Sequence, residues 1–426
     1  MKSYIRNIYF SRSFHRLAGK TQLYSNYSND HFHNRLTHTI EVNNIAHSIW
    51  EKIFPAHPSD IVTAIALGHD LGHTPFGHAG ERALNDITYQ KDLLKGIIVP
   101  GLTDKVIFKH NYYSAKVALS IDANGKRIDK VLAGIILHTN LDYGSKCSLS
   151  SEQKDSTVNF YLKNYPRAAK TIKWIYKNSV EAQVVALADE ISQRLSDMHD
   201  LLLSKDYMIN SSEIMKILPS KSIEFLDGFP DAFRIKKLIE LLGKFYINGV
   251  SYCSSCNILK MDITQQNSMD YIKSVVDNRI KRSCVINRFD HNADKTVKTI
   301  FKKLYKNPRW IDLKMRDCIF NRVVLICKSY NDKSLVSHYF PKLTLDLNNI
   351  DEKEKVLLLR RIYKVVHSKE GQKSIGRENV FLKEINSEVV YSIVFYIANM
   401  TDRFALEKYR QVNSLKKFIK LVLTYI

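Results

Sequence analysis

Apolar residues recur at helical spacing along most of the chain. Leu36, Ile40, Ile45, Ile49 and Ile53 mark one apolar face, and Val180, Val184, Leu187, Ile191, Leu195 and Met198 mark another. Two short runs, residues 61–67 and 131–137, are almost continuously apolar and are predicted as buried helices. The pattern breaks at Gly68-His69-Asp70-Leu71-Gly72 and at Thr74-Pro75-Phe76-Gly77, where glycine and proline turn helix into loop. No internal repeat or low-complexity linker appears. The prediction is an all-α protein with a helical core in residues 1–220 and an appended C-terminal helical part, basic in character and packing on the core, in residues 221–426. The division is soft and falls between about 205 and 235, where the His-rich motifs end.

Charge changes this picture more than composition does. A 45% hydrophobic and 11% aromatic chain of 426 residues has ample material for a core, so wholesale disorder is excluded. Against 43 Asp+Glu stand 64 Lys+Arg, a net charge of +21, which favours nucleotides, nucleic acid or an anionic membrane surface as company. Between Tyr271 and Trp310 eleven Lys/Arg and three Asp give a local net charge of +8. Arg279, Lys281, Arg282, Arg288, Lys295, Lys298, Lys302, Lys303 and Lys306 sit there among Phe289, Phe301, Tyr305 and Trp310. Such a stretch suits backbone tracking and base stacking on single-stranded DNA. A solvated helix face, or a wall that draws in a triphosphate, is the plainer reading.

Six cysteines, Cys147, Cys253, Cys256, Cys284, Cys318 and Cys327, are too few and too irregular for a disulfide framework. Cys253 and Cys256 form a single CxxC without a second pair, expected to be two ordinary reduced thiols rather than a zinc or redox site. No apolar run is long enough to span a bilayer, so no membrane role is expected. The N-terminus has no signal-peptide apolar segment. It is basic and free of acids before Asp30, but its residues belong to a motif described below, and the expected compartment is the cytoplasm.

Histidines crowd the first third of the chain: His31, His33, His38, His47, His57, His69, His73, His78, His110 and His138. His69-Asp70 closes the apolar run 61–68, where a charge-capable pair needs a partner because burial without one costs about several kcal/mol. His38 lies amid Leu36, Ile40 and Val42, and Asp189 interrupts the apolar turn Val184-Val185-Ala186-Leu187-Ala188. One divalent cation held by His38, His69, Asp70 and Asp189 would explain all four. Mixed nitrogen and oxygen donors suit Mn²⁺ or Mg²⁺, with Fe, Co or Ni as alternatives, provided three helices converge to roughly 2.0–2.3 Å from one ion.

Three stretches carry a resemblance: Arg35-Leu36-Thr37-His38-Thr39-Ile40-Glu41-Val42, the thirteen-residue run from His69 to Glu81 (HDLGHTPFGHAGE), and Ala188-Asp189-Glu190-Ile191-Ser192. Together they resemble the HD superfamily and, more narrowly, the deoxyguanosine triphosphate triphosphohydrolase (dGTPase) family. Arg16-Leu17 with Lys20-Thr21-Gln22, Phe108-Lys109-His110-Asn111 with Ser114, and residues 399–405 support it, with Asn399 where the family carries Gly. The likeness is close over residues 6–205 and patchy beyond.

The resemblance implies an HD-domain catalytic core that cleaves a deoxynucleoside triphosphate to a deoxynucleoside and intact triphosphate by water attack at the α-phosphorus. It makes His38, His69, Asp70 and Asp189 the metal ligands, and His78 a catalytic residue supported by Glu81. His73 and His110 are second-rank candidates for phosphate contact or proton transfer. Arg35 is implied on the phosphate, and Gln22 and Asp197 on the sugar 3′-hydroxyl. Gln193 stands where the family carries a Tyr beneath the sugar, which puts strict deoxyribose selectivity in doubt. A homo-oligomer, tetramer or hexamer, is also implied. Two alternatives stay open: an HD phosphohydrolase of another nucleotide, and a single-stranded nucleic-acid-binding protein with an HD core.

Overall fold

The structure, a computed structural model, describes residues 1–23, 31–89, 107–121, 128–138, 160–162, 170, 179–203, 231–341 and 350–413. Cys147 and most of the soft 205–235 division lie outside the described residues. In chain order the helices are α1 (Lys2–Tyr9), α2 (Arg12–His15), α3 (Arg35–Ile53), α4 (Asp60–Gly68), α5 (Gly77–Thr88), α6 (His110–Ile121), α7 (Asp129–Leu137), α8 (Val180–Leu203) and α9 (Asp231–Asn248). A hairpin of β1 (Val250–Cys253) and β2 (Ile258–Met261) follows. Then come α10 (Ile263–Arg282), α11 (Cys284–Lys306), α12 (Leu313–Ser329), α13 (Lys333–Tyr339), α14 (Glu352–Val366), α15 (Lys369–Lys373), α16 (Gly376–Ala398) and α17 (Asp402–Val412). The all-α expectation holds: among the described residues the antiparallel hairpin, with Val250 opposite Met261, is the only sheet.

Two compact units divide the described residues, one from 1–77 and 109–290, the other from 78–108 and 291–413. In the first unit α4 packs against α1, α3, α7 and α8, which is why its apolar run is buried on every side. α7 is equally enclosed between α4, α6 and α8. α8 is the longest element here and carries the predicted buried face of Val184, Leu187, Ile191, Leu195 and Met198.

α3 begins with a capping box. The Asn34 side chain accepts from the backbone N–H groups of Leu36 and Thr37, and the Thr37 hydroxyl closes the reciprocal capping bond. Its buried face is only partly the one read from its isoleucines, of which Ile49 alone is fully buried. Ile40 is exposed, and the buried stripe is Arg35, His38, Thr39, Val42, Ala46, Ile49 and Trp50. Apolar spacing misleads because polar residues occupy the N-terminal half of the stripe that faces the interior.

The link from α4 to α5 is bound to its surroundings at two glycines. Gly72 donates its N–H to Ser114 Oγ at 2.9 Å, and a Cβ there would stand 2.3 Å from the Ser114 nitrogen. Phe76 and Gly77 are consecutive left-handed residues, at φ 62° and 58°, so the chain reverses sharply before α5.

In the second unit α16 is the central helix, buried along nearly its whole second half and packed by α12 and α14. Tyr305 donates to Asn386 on it, and Arg322 pairs with Glu388 at 2.9 Å. The element at residues 399–405 is a helix start: Thr401 Oγ1 accepts the Phe404 N–H at 3.2 Å and Asp402 opens α17.

Candidate metal centre

Two apolar helices of the first unit end in the same way. His69 follows α4 and its Nδ1 donates to the Ala66 carbonyl at 2.6 Å; His138 follows α7 and its Nδ1 donates to the Ile135 carbonyl at 2.5 Å. Each bond reaches back three residues and fixes the tautomer, leaving Nε2 with its lone pair facing the interior. Both Nε2 atoms are buried without a hydrogen-bond partner.

His38, from the buried stripe of α3, and Asp189, from α8, meet there. His38 Nε2 lies 2.9 Å from Asp189 Oδ1, and His69 Nε2 lies 3.8 Å from the same oxygen and 3.7 Å from Asp70 Oδ2. Donor atoms of His38, His69 and Asp70 all fall within 4.8 Å of one another. Donors sharing one ion at roughly 2.1 Å stand roughly 3 Å apart, so this spacing is near what a common cation needs. The unpartnered, buried His69 Nε2 is the atom that such an ion would satisfy. The residues fit a divalent metal with mixed nitrogen and oxygen donors.

The electrostatics agree. Burial acts to raise the Asp70 carboxyl, but the Arg35 guanidinium, then His69, His73 and His110, hold it well below the ordinary carboxylate range. Burial likewise opposes the charge on Asp189, yet the hydrogen bond from His38 and the nearby His69 keep it ionised. Arg35 Nη1 donates to Asp70 Oδ2 at 2.9 Å, Nε reaches the Thr21 carbonyl at 3.4 Å, and Nη2 is buried with no hydrogen-bond partner.

His73 and His110 join the same wall. Their rings stack at 4.6 Å, and His110 Nε2 lies 3.7 Å from Asp70 Oδ1. The Lys20 ammonium donates to the His73 carbonyl, and the Thr74 N–H donates to His73 Nδ1 at 3.0 Å. Gln22 is buried, with Oε1 unpartnered. On α8, Gln193 is half-buried and Asp197 is buried. Burial pushes the Asp197 carboxyl up to about 7, with Arg194 opposing and Asp200 adding to the rise. His78 and Glu81 pair at the start of α5, Nδ1 to Oε2, at 3.2 Å, with Glu81 buried and His78 exposed.

His138 is the residue that sequence reasoning missed. Asp70, His110 and His138 have donor atoms within 4.8 Å of one another, and burial, then the neighbouring His69, push the His138 imidazole down to about 4, so it stays neutral. The available signal was an apolar run ending in histidine, residues 131–138, which repeats the form of residues 61–69.

The basic stretch is only partly as expected. Phe289, Phe301 and Tyr305 are buried core residues, and Lys298 is paired with Asp86 at 2.9 Å and Asp294 at 2.6 Å. Arg309 covers the Trp310 ring at 5.1 Å. Base stacking by these aromatics is therefore corrected: they form the inner face of an amphipathic helix, while Lys295, Lys302, Lys303 and Lys306 are exposed.

Residues 35–194 match the HD domain family. The chain is similar to deoxyguanosinetriphosphate triphosphohydrolase-like proteins from Rickettsia rickettsii, 27% identical over 96% of this chain and 89% of the relative. Those of Rickettsia felis and Rickettsia prowazekii are 28% and 27% identical, each over 96% of this chain and 90% of the relative. No helix among the described residues is long and apolar enough to cross a membrane.

Proposed function

We propose that this chain, which carries an HD-domain match and is similar to dGTPase-like proteins over nearly its whole length, is a metal-dependent triphosphohydrolase. It takes a deoxynucleoside triphosphate, with dGTP the default, to a deoxynucleoside and intact triphosphate. The observation that carries this reading is the meeting of the buried His38, His69 and Asp70 with the partly exposed Asp189, from three segments, with His38 and Asp189 at 2.9 Å. These four would hold one divalent cation, Mn²⁺ or Mg²⁺ by donor chemistry. Bound there, the cation supplies a more acidic water and offsets charge on the innermost phosphate.

The remaining steps belong to side chains. Arg35, anchored on Asp70 through Nη1, offers Nη2 to a phosphate oxygen, a task for which its planar fork is suited. Glu81 accepts the Nδ1 proton of His78, which leaves Nε2 to exchange a proton. The water oxygen joins the α-phosphorus and passes its proton to His78 Nε2 as the bond to the 5′-oxygen breaks, and His78 hands that proton to the departing oxygen. His73 and His110 contact the phosphates. Gln22 and Asp197 take the sugar 3′-hydroxyl, for which a carboxyl near its neutral point both donates and accepts. Gln193, smaller than Tyr, excludes a 2′-hydroxyl less strictly, so ribonucleotides are accepted to a measurable degree. The reading keeps a homo-oligomer in the cytoplasm, checked by sedimentation of the purified chain.

Product identification tests this. The full chain incubated with each dNTP and NTP plus Mn²⁺ or Mg²⁺ should release a nucleoside and tripolyphosphate. Pyrophosphate or orthophosphate as the first product overturns the reading. His38→Ala and Asp189→Ala should abolish turnover while helical content is retained.

A further inference from the structure

A line of polar contacts runs outward from His38 to residues that the proposed chemistry does not use. His38 Nδ1 lies 3.2 Å from Ser192 Oγ, which lies 3.3 Å from Glu41 Oε2. The other Glu41 oxygen, Oε1, is 3.0 Å from His33 Nε2, and His33 Nδ1 is 2.6 Å from Asp200 Oδ1. The His33 backbone N–H also donates to Asp200 Oδ2, at 3.2 Å. Helices α3 and α8 supply every member except His33, which sits just before α3.

Proton bookkeeping gives the line a direction. Ionised carboxylates only accept, so both His33 ring nitrogens donate and the ring is a cation held between Glu41 and Asp200. Ser192 has one hydroxyl proton, which goes to Glu41, and its oxygen then accepts from His38 Nδ1–H. With Nδ1 committed as a donor to Ser192, Nε2, which donates to Asp189 Oδ1 at 2.9 Å, is the nitrogen that would give up its proton to bind an ion. The far end of the line thus decides which nitrogen of His38 is free to bind.

We propose that Glu41, acting through Ser192 and braced by His33 and Asp200, is a positioning residue that fixes the tautomer and ring angle of His38 for metal coordination. This rests on the metal reading above and deepens it. Partners behind a ligating imidazole commonly control metal affinity in this way. A second ion seat made of His33, His199 and Asp200, whose donor atoms also fall within 4.8 Å, is disfavoured because neither His33 nitrogen keeps a lone pair.

The test is Mn²⁺ binding to the metal-stripped full-length chain without nucleotide, followed by the paramagnetic resonance of free Mn²⁺. Ser192→Ala and Glu41→Gln should each weaken binding roughly ten- to hundredfold. The double variant should be no weaker than the worse single one, because both cut one path. Ser192→Thr, which restores the hydroxyl, should recover affinity. Wild-type affinity in Ser192→Ala and Glu41→Gln, beside lost binding in His38→Ala, overturns the proposal and leaves the metal reading standing. Undiminished binding in His38→Ala instead overturns the metal reading, and the proposal with it. Glu41 is partly exposed, so Glu41→Gln decides the matter even where Ser192→Ala fails to fold.

Discussion

At the scale of single residues, His33 is the most consequential charge outside the ligand set. Burial opposes its proton, but hydrogen bonds to Asp200 and Glu41 outweigh burial and push its pKa up to about 10 from an ordinary 6.5. The folded state therefore holds a proton that the unfolded chain releases. The resulting stability is fully present below about pH 6.5 and is lost as the pH rises through about 10. His33→Ala leaves Asp200 buried without its cation and is expected to cost about 3 kcal/mol near neutral pH. Denaturant unfolding of both proteins checks this: the gap between them should narrow from pH 7 to pH 10, and a constant gap rejects the pairing. The sequence displayed His33 in a row of histidines, but nothing local distinguished it. Its partner Asp200 is 167 residues away, and long-range pairing has no spacing signal. The proposed metal ligands stood out in the sequence for the opposite reason, since His69-Asp70 and Asp189 interrupt apolar helix turns where a charge is costly.

At the scale of elements, the loop between α4 and α5 carries His73 and ends on a reversal in which Phe76 and Gly77 are both left-handed. Gly72 lets this loop touch the first turns of α6, and that contact keeps Asp70 beside His110. Gly72→Ala forces the loop away from the Ser114 backbone, and overpacking of this kind costs about 1–3 kcal/mol. The displacement should also weaken Mn²⁺ binding, because Asp70 is two residues away. A variant with native stability and native Mn²⁺ affinity would show that the loop tolerates the shift. Glycine punctuation announced this loop, whereas the facing of α3 was read only in part, right for Ile49 and wrong for Ile40. Isoleucine spacing pointed to Ile40, yet Arg35, His38 and Thr39 hold the buried stripe, since a helix that serves a polar site turns polar residues inward. The matching ends of α4 and α7 were equally visible as apolar runs closed by histidine. Only the structure shows that both imidazoles give Nδ1 to a carbonyl three residues back and so aim Nε2 inward.

At the scale of the whole molecule, the net charge of +21 has no counterpart in the ligand set and has to be met by solvent, substrate or partner. Burial of Phe289, Phe301 and Tyr305 removes three of the four stacking candidates from the basic stretch, and Arg309 covers the fourth, Trp310. What remains is a run of exposed lysines, Lys295, Lys302, Lys303 and Lys306, which attract any phosphate backbone without reading it. Association with single-stranded DNA is therefore expected to be electrostatic and indifferent to base. Oligo-dT and oligo-dA should bind alike, and affinity should fall linearly on a log–log plot against salt. Each phosphate contact contributes a slope of about 0.7 for single strands, so the Lys302→Glu, Lys303→Glu double variant should flatten the plot by about 1.4. Because these lysines lie far along the sequence from the proposed ligands, the same variant should keep its Mn²⁺ affinity. A strong base preference, or a salt slope untouched by the charge reversals, would remove this surface from consideration and leave the excess charge to draw in the triphosphate itself.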